Sequence, residues 1–158
     1  KARAYRGRGG EVVRQAACEM LRRIAEANSW QFKDATCTRY LQTVEECVRH
    51  STDSIQVAAV DALQALALRF NPALQSKCLE TCLAGLAKQD ETISARRGYL
   101  LSLGVLPAEA LVGRRSEILR LLGREVRGLE LPGGKEQEDP QCRQYAVISL
   151  GRLCFSLG

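Results

Sequence analysis

Apolar and polar positions alternate along this chain with the period of an α-helix, and one helical phrase is written four times. It reads Val13-Arg14-Gln15-Ala16-Ala17-Cys18-Glu19-Met20-Leu21, then Ile55-Gln56-Val57-Ala58-Ala59-Val60-Asp61-Ala62-Leu63, then Ile93-Ser94-Ala95-Arg96-Arg97-Gly98-Tyr99-Leu100-Leu101, and finally Cys142-Arg143-Gln144-Tyr145-Ala146-Val147-Ile148-Ser149-Leu150. Each copy starts on an apolar residue, sets small residues near the third and fourth following positions, and returns to a large aliphatic eight positions on. That spacing marks one face of a helix. The copies start 42, 38 and 49 residues apart, and a second, weaker helical stretch fills each interval.

The pattern predicts a first helix over residues 11–27 with Val13, Ala16, Ala17, Met20, Leu21 and Ile24 inward, ended by Asn28-Ser29. Asp34 is placed to cap a second, over 34–49, whose inner positions are Cys37, Tyr40, Leu41, Val44 and Val48. The capping cluster Ser51-Thr52-Asp53 opens a third, to about residue 70, where Asn71-Pro72 breaks it and starts a fourth. The fourth turns Leu74, Cys78, Cys82 and Leu86 inward, with Leu79 and Leu83 beside them. A fifth runs from Asp90 to about Leu106, where Pro107 interrupts, and a sixth over 114–128 uses Ile118, Leu119, Leu121, Leu122 and Val126. Residues 131–140 are rich in Gly, Pro and charge and read as a loop, which also lengthens the last interval; the seventh helix covers 141–156.

No alternating strand pattern with hairpin turns appears, so the chain is all-α. Two helices per unit and a period of about 40 to 47 residues predict a HEAT/armadillo-type α-solenoid. About seven helices make three and a half helix pairs, spanning residues 11–158 behind a basic Gly/Arg-rich arm at 1–10. Such a stack offers an extended surface for holding a partner. The chain opens without an initiator Met inside a basic stretch and ends on a helical repeat, which reads as a piece of a longer solenoid. Leu21, Leu63, Leu101 and Leu150 are expected to fill the shared core, and the alanines to let helices approach closely.

Composition changes the picture in three places. There is no run of about 18 apolar residues, so no membrane-spanning helix is expected, nor the apolar stretch of a signal peptide. Seven cysteines, five of them (Cys18, Cys47, Cys78, Cys82 and Cys154) at helical positions that a small apolar residue would also suit, read as reduced, packed thiols of a cytosolic protein. The net charge of +5 is concentrated in Lys1, Arg3, Arg6 and Arg8, ahead of a nearly neutral body.

Candidate chemistry is sparse. Arg6-Gly7-Arg8-Gly9-Gly10 has the glycines of a phosphate cradle but not the Gly-Lys-Ser/Thr ending or the preceding strand, so its glycines are read as a sharp entry into the first helix. Cys78 and Cys82 lie four apart without a second Cys pair, and His50 is the sole histidine; no metal site, cofactor or catalytic residue is expected. Glu45 and Glu46 read as solvated surface. The pairs Arg96-Arg97 and Arg114-Arg115 remain, either as anion-facing groups or as partners of carbonyls and acids within the stack. Arg14, Gln56, Arg96 or Arg97, and Arg143 are placed to form a basic ridge, which favours encounter with an acidic partner. Few aromatics are present for stacking on bases, so a nucleic-acid partner is not expected.

The string Tyr5-Arg6-Gly7-Arg8-Gly9-Gly10-Glu11-Val12-Val13-Arg14-Gln15-Ala16-Ala17-Cys18 resembles the start of the C-terminal region of tubulin-folding cofactor D, which carries Tyr-Arg-Gly-x-Gly-Gly-x-x-x-Arg-Gln-Ala-x-Cys. Leu103-Gly104-Val105-Leu106-Pro107 with Leu111-Val112-Gly113-Arg114 is similar to a second segment of that family, at a fitting spacing; residues 28–90 carry no such string. The resemblance implies a non-catalytic cytoplasmic, cytoskeleton-associated chaperone that captures β-tubulin or the α/β-tubulin dimer. It also implies work with tubulin cofactors C and E and an Arf-like small GTPase, stimulating GTP hydrolysis only within that assembly. On this reading Tyr5, Arg6, Arg8, Arg14, Arg96, Arg97, Arg114 and Arg115 are the candidate protein-binding residues. The alternative is a generic HEAT or armadillo adaptor or scaffold.

Overall fold

A computed structural model describes residues 8–27, 33–127 and 139–157. Residues 131–138 of the expected 131–140 loop and the Asn28-Ser29 stop fall outside the described residues, and Pro140, expected in that loop, is the first residue of the last helix.

The described chain is all-α. Its helices are α1 (Arg8–Glu26), α2 (Asp34–Val48), α3 (Asp53–Ala67), α4 (Pro72–Ala87), α5 (Ile93–Leu103), the short α6 (Ala108–Leu111), α7 (Arg115–Arg127) and α8 (Pro140–Leu157), with a 3-10 turn Val112–Arg114 joining α6 to α7. Two layers result. One is a row in which α1 packs on α3, α3 on α5 and α5 on α8; in the other, α2, α4 and α7 cover α3, α5 and α8 respectively. The four repeated phrases are thus the row, and the weaker stretches are its cover, which gives the expected three and a half helix pairs. The addition is α6, one turn started by Pro107 in the interval left between the fifth and sixth expected helices.

Local chemistry sets most boundaries. Asn71 accepts from the Leu74 N–H at 2.9 Å with Pro72 in the first helical position, as expected. Elsewhere the caps move. Lys33, not Asp34, precedes α2, and Asp34 is its first helical residue, where its charge meets the positive end of the helix dipole. The fifth helix begins after Thr92, whose side chain accepts from Ala95 N at 3.3 Å, rather than at Asp90. Gly9 and Gly10 continue α1 instead of forming an entry turn, so the helix reaches into the expected arm.

The core contains nearly every inner residue expected for α2, α4 and α7, including Leu41, Val44, Leu79, Leu83, Ile118 and Leu122; Leu119 is exposed. In α1 the expected face is rotated. Cys18, Leu21 and Ala25 are buried, whereas Val13 and Met20 are 61% and 57% exposed. The third copy is displaced as well. Ala95, Tyr99, Ser102 and Leu106 are all buried, and Tyr99 and Ser102 line one small void with Leu63, Val44 and Cys82, so Ala95 occupies in α5 the place of Ile55 in α3. Ile93 is only half-buried at the helix start. Gly98 is needed here: a Cβ on it would run into the backbone carbonyl of Val48 and lie 2.7 Å from the Val48 Cγ1.

All seven cysteines are unbridged; six are buried, and Cys154 is exposed rather than packed. Burial and the Asp34 charge raise the Cys37 thiol, and Cys78 and Cys82 sit side by side in the core of α4, with the Cys82 thiol raised by the Cys78 sulfur and by burial.

Candidate protein-binding surface

Gln56 was expected on the outward ridge, but it is 1% exposed. Its Nε2 donates to the Val48 carbonyl at 2.8 Å and to the Ser94 carbonyl at 2.6 Å, closing the last turn of α2 and tying α3 to the start of α5. The same device recurs through the stack. Arg69 Nε donates to Ala25 O at the end of α1, at 3.2 Å, and Gln75 Nε2 to Ala67 O at the end of α3, at 2.8 Å. Helix ends leave orphan carbonyls, and these side chains satisfy them.

Arg96 is the strongest instance and the second correction. It is 4% exposed, so it is no surface residue. Its guanidinium donates to Lys88 O at 2.8 Å and Leu86 O at 3.4 Å, at the C-terminal end of α4, and pairs with the equally buried Glu125 of α7. Arg124 donates to the same Leu86 carbonyl at 2.6 Å and lies 3.6 Å from the Glu125 carboxylate. Two cations therefore serve one carboxylate and the negative end of one helix dipole. Glu125 and Asp139 were not singled out in the sequence. The only signal for Glu125 was its place, three residues after Leu122, on the inner stripe of α7.

Arg97 is partly buried and turned toward acids of its own stack. Its Nε and Nη2 each donate to Asp139 at 2.7 Å, a two-pronged pair, and its Nη1 lies 3.7 Å from Asp53. This pairing holds the Asp139 carboxyl down at about 2 and raises the guanidinium. Asp139 also accepts from the Cys142 N–H at 2.9 Å, so it caps α8, and Gln141 Nε2 donates to Asp53 at 2.6 Å. The acids at the starts of α3 and α8 are thereby joined through α5. Arg114 pairs with Glu117 of the next turn, at 2.6 Å, and with Glu80 of α4. Its guanidinium is raised, first by the Glu117 contact.

Arg14, Arg115 and Arg143 are exposed. The guanidinium of Arg14 also reaches Cys47, whose thiol is lowered to about 7, first by a hydrogen bond from Cys18 and then by Arg14. Tyr5 and Arg6 lie outside the described residues, as does the side chain of Arg8. No continuous basic ridge forms from Arg14, Gln56, Arg96, Arg97 and Arg143, because two of its members are interior and Arg97 is neutralised by Asp139.

Glu45, expected on a solvated face, is half-buried. Its Oε1 has no hydrogen-bond partner beside the void under α2, and loss of water raises its carboxyl above the usual range. Among the described residues no cluster of three or more His, Cys, Asp or Glu is placed to hold a metal, and no helix is long and apolar enough to cross a membrane. An open groove of about 430 Å³ between the C-terminal ends of α3, α5 and α8 is lined by Gln64, Gly104, Val105, Leu106, Arg152, Phe155 and Ser156, a set with no acid, histidine or cysteine. This architecture presents shape and isolated charges. Comparison with protein-family models gives no match for this chain, and comparison with solved structures gives none either.

Proposed function

We propose that this chain is part of a tubulin-folding chaperone of the cofactor D kind, acting by binding rather than by catalysis. It holds β-tubulin or the α/β-tubulin dimer in the cytoplasm, alongside cofactors C and E and an Arf-like small GTPase, and contributes to GTP hydrolysis only as part of that assembly. The observation that carries the reading is the string from Tyr5 to Cys18. Its support from the fold is that the matching residues Arg14, Gln15 and Ala16 are exposed on α1, where core packing does not dictate their identity. Side chains exposed there are available to a partner. The two-layer helical repeat is the extended scaffold such a partner requires, and exposed arginines give orientation and encounter with an acidic protein.

The experiment is tubulin binding by the triple variant Arg6→Glu, Arg8→Glu, Arg14→Glu, measured at several salt concentrations. The expected result is weaker binding, by at least tenfold at low salt, with a shallower dependence on salt. Equal affinity and an equal salt slope remove the first helix from the interface.

A further inference from the structure

Both acids of α7 are spent inside the stack, and most of its arginines are not. Glu117 pairs with Arg114 at 2.6 Å, and the buried Glu125 is shared by Arg96 and by Arg124, whose guanidinium lies 3.6 Å away. One carboxylate facing two guanidinia leaves a net positive charge just under the surface of the helix, where salt screens it less. The Nε of Arg124 has no acceptor among the described residues. Arg120 and Arg127 are exposed, and neither forms an ion pair among the described residues.

Helical spacing brings these cations together. Arg120, Arg124 and Arg127 follow one another at four and three residues, so they lie on one side of α7 within two turns, about 10 Å. Gly123 sits among them. A Cβ on Gly123 would meet only the two terminal nitrogens of Arg127, each at 3.9 Å, so that guanidinium folds back over the bare backbone toward Arg120. Unlike Gly98, Gly123 faces no backbone that forbids a side chain. The face is also independent of whatever adjoins the chain. The inner stripe of α7 is Ile118, Leu121, Leu122 and Glu125, and the Arg124 edge leans on α4 through the Leu86 carbonyl. Leu119 and Val126 mark the opposite edge, where the next helix of a stack would lie. Arg120, Gly123 and Arg127 fall between the two edges, on the side turned away from the core.

We propose that this face of α7 is a docking site for an acidic, extended segment of a partner protein, whose carboxylates are taken by Arg120 and Arg127 across Gly123. The argument is complementarity of charge and shape. A guanidinium offers a planar fork that grips a carboxylate with two prongs, as Arg97 already does with Asp139. In an extended chain alternate side chains lie on one side about 7 Å apart, so two or three acids match the arginines within two turns. The missing side chain at Gly123 lets the peptide backbone come close. No aromatic residue occurs in α7 to stack on a base, which sets an acidic peptide ahead of a nucleic acid. The site shares no residue with the string at the start of α1, so it stands apart from the tubulin reading.

The test measures binding of fluorescein-labelled deca-glutamate to the 158-residue chain by fluorescence anisotropy at two salt concentrations, with every variant checked for an unchanged far-UV spectrum. The wild type is expected to bind, and more weakly at the higher salt. Arg120→Glu/Arg127→Glu is expected to lose at least tenfold in affinity. Arg39→Glu/Arg152→Glu, the same charge change at exposed positions of α2 and α8, is expected to stay within twofold of wild type. Gly123→Leu keeps the charge but fills the gap, and is expected to lose at least fivefold. The proposal is overturned if the wild type does not bind, if the two charge reversals weaken binding alike, or if Gly123→Leu binds as well as wild type. A uridine decanucleotide that competes as strongly as unlabelled deca-glutamate overturns the choice of a peptide. Binding that appears only once Glu130, Glu136 and Glu138 are changed to Gln overturns the choice of a partner, because the chain's own acids then hold the face. A chain that ignores the peptide yet binds tubulin overturns this site and leaves the chaperone reading standing, so the two fail separately.

Discussion

Replacing Arg96 by Met tests the polar centre of the stack. Arg96 and Glu125 have side chains only 5% and 2% exposed, so each is the other's principal charge partner. Removing the guanidinium leaves the Glu125 carboxylate in the core with Arg124 at 3.6 Å as its nearest cation. The Leu86 carbonyl keeps Arg124 as a donor at 2.6 Å, but the Lys88 carbonyl loses the 2.8 Å bond from Arg96. Stranding one member of a buried pair costs about 3 to 5 kcal/mol. An unsatisfied carbonyl adds about 1 kcal/mol or more if water does not reach it. Against a total stability of roughly 5 to 15 kcal/mol, this is severe but measurable. Glu125→Leu is expected to cost less, because Arg96 retains two carbonyl acceptors at a helix C-terminus, where a cation is favoured. The double variant Arg96→Met/Glu125→Leu leaves no buried charge and is expected to be more stable than Arg96→Met alone. Urea unfolding followed by far-UV circular dichroism, arranged as a double-mutant cycle, reads all three values. The reasoning is refuted if Arg96→Met costs less than about 1 kcal/mol, the worth of an exposed pair, or if the two single losses simply add.

Two further outcomes follow from the packing and the charge pairs. Leu63 is 2% exposed between the row and its cover, so Leu63→Ala is expected to cost about 2 to 5 kcal/mol and to lower the melting point by roughly 5 to 15 °C; an unchanged melting point by scanning calorimetry would mean that the repeat register is wrong. Asp139 is held at about 2 by Arg97, below the roughly 4 of an unfolded chain. Its contribution is therefore present above about pH 4 and is lost as the pH falls toward 2. The stability gap between wild type and Asp139→Asn is accordingly expected at neutral pH and to close on acidification, and a gap constant with pH contradicts the pairing.

Much of this architecture was legible along the chain because helices are local. The all-α class, the helix pairs and the last helix rest on periodicity and on caps such as Asn71-Pro72, which act within four residues. Details requiring a neighbour were not legible. The expected inner face of α1 was chosen because its apolar residues match those of α3, but α3 is covered on both sides and α1 on one, so identical stripes have opposite fates. The third copy was aligned on Ile93, the larger residue, whereas packing against α3 selected Ala95 and Tyr99. Among the candidate arginines, nothing local separates Arg96 from Arg115. One faces the carbonyl end of α4 and a carboxylate on α7, the other faces water.

The sequence by itself determined that this protein is a row of paired helices with a nearly neutral body, since hydrophobic period, caps and breakers are written within single turns of helix. Tertiary structure alone decided which polar residues became interior brackets and which apolar stripes remained open. Both depend on what lies across a seam from residues about forty positions away. A buried Gln56 or Arg96 is favourable only where a distant helix ends its carbonyls against it, and a stripe such as Val13-Ala17-Met20 becomes core only where another helix arrives to exclude water.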